Sequence, residues 1–252
     1  MIKKVTKTAG ASLALLLALA GCTVSGTTAQ SEVEGTTPPA NEIDISAQVD
    51  AALEELTSSV LSLGPNGEAP AGFESTVLTA DEVAQIQGAG LTAAIVMHYA
   101  GNDWSSAQIE GLKDEFARLG IEVVAVTDAD FKPEKQVSDI ETVMALNPDI
   151  IISIPTDPVA TSAAYKKAAA AGIKLVFMDN VPADMVGGTD YVSVVSADNM
   201  GNGAASAHLM AKALNGQGKI GLIYHDADFF VTAQRYQGFK DVLSQYPDIE
   251  VV

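Results

Sequence analysis

Ile150-Ile-Ile-Ser-Ile154 is an apolar, β-branched run that stops on Pro155-Thr156-Asp157, and Leu175-Val-Phe-Met178 stops in the same way on Asp179-Asn180. Between them lies Pro158 to Ala171, an alanine-rich amphipathic segment that closes on Gly172. Short runs without polar alternation, bounded by turn residues, suit strands buried on both faces. A helix-length segment between two such runs is the crossover that parallel neighbours require. Reading outward, the pattern repeats. Ala93 to Met97 and Ile121 to Val126 are strands on the upstream side, with helices over Ser106 to Leu119 and Pro133 to Leu146. Downstream come a strand at Tyr191 to Val195, a helix from Asn199 to Leu214, a strand at Lys219 to Tyr224, a helix from Val231 to Gln245 and a strand at Ile249 to Val252. Strand starts recur roughly every 27 residues, about one βαβ unit. An α/β fold with a parallel sheet and helices on both faces is expected.

Upstream of Leu91 the chain reads differently. Val49, Leu53, Leu56, Val60 and Leu63 recur at helical spacing from Ser46 as far as Gly64-Pro65-Asn66-Gly67, which predicts one amphipathic helix. Such a stripe packs on its own domain, or alternatively docks a partner. Thr79-Ala-Asp-Glu82 is a capping-box pattern before a short helix through Val83 and Ile86. Thr23 to Asn41, rich in Ser, Thr, Gly, Pro and Glu, has little to bury and reads as a flexible tether. Before it, Lys3, Lys4 and Lys7 precede an apolar stretch from Ala11 to Ala20, which is signal-peptide length and too short to span a bilayer. The run ends Leu19-Ala20-Gly21-Cys22, and Cys22 is the sole cysteine, so neither a disulfide nor a thiolate metal site is available. The small residues before Cys22 resemble the lipobox of bacterial lipoproteins, in which that cysteine is lipidated; a buried thiol behind an ordinary export signal is the alternative.

The formal charge of −18 falls to about −21 once the three signal lysines are gone, and no Lys or Arg occurs from Thr23 to Leu112. Electrostatic binding of nucleic acid or of an anionic membrane surface is disfavoured by such a balance.

Ligands of open parallel sheets bind beyond the carboxyl ends of the strands, so those ends carry the chemistry. Here they are polar: His98, Asn102, Asp103 and Trp104 follow the first strand; Asp128, Asp130 and Phe131 the second; Thr156 and Asp157 the third; Asp179 and Asn180 the fourth. Ser196, Asp198 and Asn199, then His225, Asp226 and Asp228, follow the later ones, with Arg235 a turn into the next helix. Planar groups that make paired hydrogen bonds suit vicinal hydroxyls, and the face of Trp104 suits the C–H face of a sugar ring. A sugar or polyol is the expected ligand. About half of these positions should only cap helices or make turns, Asp198 and Asn199 above all.

In this order and spacing, Asn102-Asp-Trp104 before Gly111 and Leu119-Gly120, Ile154-Pro-Thr-Asp157, Phe177-Met-Asp179-Asn180, Ser196-Ala-Asp-Asn199 and Arg235-Tyr-Gln-Gly-Phe239 resemble the sugar-binding proteins of bacterial ABC importers. The resemblance is to the ribose-binding-like group of the type I periplasmic binding-protein fold and runs from about Thr92 to the end. It implies two lobes joined by a hinge, a sugar held between them and closure that presents the loaded protein to a permease and its ATPase. It implies ligand roles for His98, Asn102, Asp103, Trp104, Ser105, Asp179, Asn180 and Arg235, with no cofactor, no catalysis and a monomer. The corresponding division is a signal at 1–21, a tether at 22–45, a helical extension at 46–90, a first lobe at 91–197 and the start of a second at 198–252.

Departures bear on specificity. Where the group commonly has Asn-Pro-Phe-Phe, this chain has Asn102-Asp103-Trp104-Ser105, losing a stacking ring and gaining a carboxyl; Asn180 stands where Arg is frequent. The sequence stops at Val252 after two strands of the second lobe, so a truncated sequence is expected, holding sugar weakly or not at all. Submicromolar calorimetric binding by residues 23–252 would overturn that expectation. A sensor presenting its sugar to a chemoreceptor or kinase is the alternative to import. A dinucleotide enzyme is the rival from another class, because Gly201-Asn-Gly203 follows a strand, yet Ser206 stands where the third glycine belongs. His98, His208 and His225 lack the close pairing a metal hydrolase needs. Repressors that share the fold carry a DNA-binding segment and no export signal.

Overall fold

A computed structural model describes residues 44–224 and 229–252. The expected signal, Cys22 and nearly all of the tether lie outside the described residues, as do His225, Asp226 and Asp228. Among the described residues there are seven α-helices and seven strands, which alternate from β1 onward except that β5 follows β4 directly: α1 Ile45–Thr57, α2 Ala80–Gln87, β1 Thr92–Met97, α3 Asp103–Arg118, β2 Glu122–Asp128, α4 Pro133–Ala145, β3 Ile150–Ser153, α5 Ser162–Ala170, β4 Lys174–Met178, β5 Ser193–Val195, α6 Asn199–Ala213, β6 Gly218–Ile220, α7 Phe230–Leu243 and β7 Ile249–Val251. No helix among them is long and apolar enough to cross a membrane.

The main sheet is wholly parallel, in the order β2-β1-β3-β4-β5. Strand β1 shows why it is buried on both faces. Ala93, Ile95 and Met97 point toward α3, where Ile109 and Phe116 cover them, while Ala94 and Val96 join Ile140, Val143, Tyr165, Leu175 and Phe177 on the α4–α5 side. The polar groups inside that second core are paired: Ser153 Oγ meets the Val96 carbonyl at 2.7 Å and the Tyr165 hydroxyl at 2.5 Å. Strands β6 and β7 form a separate parallel pair, packed with α6, α7 and α1 around Ala207, Ala211, Phe239, Val242 and Tyr246. Gly203 and Gly238 let α6 and α7 cross at backbone contact. A Cβ on Gly203 would lie 2.1 Å from the Arg235 carbonyl oxygen, and one on Gly238 2.1 Å from that of Met200. Gly203 therefore serves a helix crossing, and a Cβ on Gly201 would lie 2.1 Å from the capping Asp198 carboxylate, so both glycines of the Gly-x-Gly pair have packing reasons.

Three elements depart most from the expected boundaries, while α3, β2, β5 and α7 shift by one to three residues at their ends. The first helix stops at Thr57 instead of reaching Leu63, because Thr57 Oγ1 bonds the Glu54 carbonyl and the Ser58 and Ser59 hydroxyls both turn back on the Glu55 carbonyl. These side chains compete with helix continuation. Val49 is buried against α6, as a self-packed stripe requires, but Val60 and Leu63 are exposed. The fifth helix starts at Ser162 rather than Pro158, since Asp157 Oδ1 takes the Val159 and Ala160 amides in a turn. The strand expected at Lys219 to Tyr224 is shorter: β6 runs only from Gly218 to Ile220. The capping box at Thr79 and Glu82 forms as read, and α2 sets Val83 and Ile86 on the α3 side of the main sheet.

Candidate functional site

Sequence neighbours β1 and β2 lie side by side, whereas β3 is on the other flank of β1. The connections out of β1 and β3 thus diverge, and the crevice at their carboxyl ends is the topological switch point. His98 follows β1 directly. Its ring stands edge-on to Trp104, with centroids 6.3 Å apart, and to Phe131 at 5.0 Å; Tyr99 stacks on Phe131 at 4.7 Å. Trp104 and Phe131 remain 49% and 59% exposed, so large apolar faces are offered at the sheet edge instead of being buried. Trp104 is an expected ligand residue, Phe131 is expected only among the residues that follow the second strand, and Tyr99 is not anticipated from the sequence. The backbone marks Phe131: Asp130 and Phe131 have φ of +52° and +54°. Aspartate tolerates that conformation through local hydrogen bonds, while for a phenylalanine it is a strained state that the fold must hold. The Phe131 amide donates to the His98 carbonyl at 2.8 Å, and the Asp130 amide to Asp128 Oδ1 at 2.9 Å. An aromatic residue among polar ones directly after a strand was the available signal.

Across the crevice Asp179, also left-handed at φ +60°, follows β4; its amide is fixed on the Val195 carbonyl and its Oδ1 accepts from Ser196 Oγ at 2.9 Å. Asn180 is buried, with its Oδ1 3.5 Å from the Val231 amide at the start of α7. Arg235 on α7 donates through Nε to Asn199 Oδ1 at 2.8 Å, which leaves its terminal amino groups for other partners. It lines a hollow of about 300 Å³ with Leu222, Tyr224 and Tyr236, whereas a larger hollow of about 550 Å³ around Asn147 and Gly172, at the opposite end of the sheet, holds none of the candidate residues.

Asn102 caps α3, its Oδ1 taking the Ser105 amide at 2.8 Å, so only its amide nitrogen is free of that duty. Asp103 opens the helix beside it at the exposed edge, and Ser105 is fully buried with its hydroxyl unpartnered among the described residues. Thr156 is spent on Gln136, whose Oε1 takes both its amide and its hydroxyl. Asp198 caps α6 through the Gly201 amide and also accepts from the Leu61 and Ser62 amides and the Ser62 hydroxyl. Burial alone would raise its carboxyl, but these bonds outweigh it and hold the group below its ordinary value.

His98 has the opposite balance. Burial lowers its pKa below the ordinary 6.5, against the pull of the Asp179 and Asp128 charges, so the ring is neutral near pH 7 with one donor and one acceptor. Burial also lowers His208, whose Nδ1 lies 2.7 Å from the Tyr246 hydroxyl. Both groups are more basic in the unfolded chain, which binds more protons as pH falls below about 6.5. Stability should therefore decline from there toward the lowered native values. Urea midpoints at about pH 7.5 and about pH 5.5 measure it. The midpoint should drop, and drop less in the H98Q/H208Q double variant; equal losses in both proteins would refute the assignment.

Residues 93–252 match the family described as periplasmic binding protein domain. The chain belongs to that family. A putative rhizopine-binding protein of Rhizobium meliloti is 29% identical to this periplasmic binding protein over 178 residues, covering 65% of this chain and 58% of the relative. The ribose import binding protein of Bacillus subtilis (strain 168) is 27% identical over 166 residues, covering 57% and 54%. An ABC transporter solute binding protein from Agrobacterium vitis, solved with bound α-D-tagatopyranose, superposes with a TM-score of 0.58 at 27% identity, covering 64% of this chain and 56% of that one. The chain thus spans just over half the length of these relatives.

Proposed function

We propose that this periplasmic binding protein captures a sugar or polyol for an ABC importer without catalysing a reaction. The reading is supported by the exposed Trp104 and Phe131 faces flanking His98 at the switch point, and by the Asp179 carboxylate after the fourth strand, which Ser196 and Asn199 join to the Arg235 guanidinium. Rings take the C–H face of a pyranose or furanose, and the planar charged groups take its hydroxyls in pairs. His98, Asn102, Asp103, Ser105 and Asn180 complete or support this wall. The lobe division falls between β5 and α6, with ligand closure shifting a two-state equilibrium. Lipidation at Cys22 would keep the receptor beside the permease and its ATPase, on the outer side of the membrane; the matching relatives named for ribose import and ABC transport support that setting.

Trp104 is the chain's single tryptophan, so its fluorescence reports the site directly. Titration with D-ribose, D-tagatose and acyclic polyols to high millimolar concentration should perturb it for at least one of them. D179A and R235A should each weaken that binding by about 1–3 kcal/mol, or roughly 5- to 150-fold, because a ligand hydroxyl loses its charged hydrogen-bond partner. Unchanged midpoints in both variants would remove these residues from the site.

A further inference from the structure

Asp179 follows β4 of the main sheet and Arg235 lies on α7, which packs in the separate group around β6 and β7, yet an unbroken run of hydrogen bonds joins them. Arg235 Nε donates to Asn199 Oδ1 at 2.8 Å, Asn199 Nδ2 to Ser196 Oγ at 2.8 Å, and Ser196 Oγ to Asp179 Oδ1 at 2.9 Å. Every donor points the same way, from guanidinium to carboxylate. The Asn199 amide has only one orientation that satisfies it, since Nδ2 also faces the Ala197 carbonyl at 3.0 Å while Oδ1 faces an arginine donor. Capping does not explain this side chain: Asp198 already takes the Gly201 amide in the first turn of α6, and Asn199 is fully buried behind it.

We propose that Ser196 and Asn199 are positioning residues that couple Arg235 to Asp179, so that a ligand fixed on one group orients the other. The proposal rests on the sugar-capture reading. In a polarised chain of this kind each bond strengthens the next, and loss of the middle hydroxyl uncouples the ends.

Two measurements test it, one of them without ligand. The chain has only two arginines, Arg118 and Arg235, so the side-chain Nε–H cross-peak of Arg235 is assigned by its loss in R235K. D179A should shift that cross-peak in the otherwise wild-type protein and leave it unmoved in the S196A background. An equal shift in both backgrounds, or no shift in either, overturns the relay. The second measurement is D-ribose titration followed by Trp104 fluorescence. S196A and N199D should each raise the midpoint about tenfold, with the double variant no worse than either, because the carboxylate at 199 still pairs with Arg235 but draws the Ser196 hydroxyl away from Asp179. Additive losses, or a wild-type midpoint in S196A while D179A and R235A are impaired, count against the relay alone. Wild-type midpoints in D179A and R235A count against the capture reading instead.

Discussion

Gly203→Ala and Gly238→Ala should each destabilise the protein by about 3 kcal/mol, the upper part of the range for overpacked cores. A single methyl produces so large an effect because the obstacle is backbone, not a side chain that can turn away. The added Cβ would sit 2.1 Å from the Arg235 carbonyl oxygen in one case and 2.1 Å from the Met200 carbonyl oxygen in the other. Both helices are packed on further elements, α6 on α1 through Val49 and α7 on β7 through Phe239 and Ile249, so neither can back away without opening the cluster. Gly111→Ala provides the contrast. Nothing lies within 4 Å of that Cβ position, in the exposed interior of α3, and alanine there should stabilise by up to about 1 kcal/mol. Urea denaturation of the three variants compares the signs. Stability of G203A at or above that of the parent would mean that the helices do not cross at this point.

Phe177→Ala is expected to cost about 3–5 kcal/mol, as for other fully buried phenylalanines. The ring lies between Tyr165, at 5.1 Å and nearly perpendicular, and Tyr191 at 5.5 Å, so its removal leaves a void lined by two large side chains. Tyr165 cannot swing into that space freely, because its hydroxyl is held by Ser153 and burial pushes the phenol's pKa up, keeping it a neutral donor. Collapse around the void is thus limited, which places the cost toward the upper end. Phe177→Leu, which refills most of the volume, should lose about 1.5 kcal/mol or less. Similar midpoints for F177A and F177L would show that the core relaxes more easily than its hydrogen bonds allow.

The two-faced apolar runs made the main sheet legible, since Ala93 to Met97 and Ile150 to Ile154 carry no polar alternation that an exposed face would demand. Helix α1 was legible in its first turns only. The stripe from Val49 to Leu63 keeps the right spacing throughout, but spacing does not register that Thr57, Ser58 and Ser59 hydroxyls can capture the carbonyls of the last turn. Among the candidate residues, the positions of Trp104 and Asp179 beyond the ends of β1 and β4 were readable from the sequence. Phe131 was not singled out because its exposure depends on two successive left-handed residues, a conformation that the residue types do not announce. Asp198 was readable as a cap, but its second duty was not: its partners Leu61 and Ser62 are more than a hundred residues away in sequence.

That second duty has a mechanical side. Helix α1 packs with α6 and α7 while α2 packs beneath the main sheet, so the chain passes between the two clusters through residues 58–79 and again between β5 and α6. At Asp198 the two passages are laced together, with Gln234 adding a bond to the Leu63 carbonyl. A single strand joining two bodies resists neither bending nor torsion. Lacing ties the two passages to each other: any twist of one cluster against the other would have to stretch the Asp198 bonds to Leu61 and Ser62, which a lone connection would not oppose.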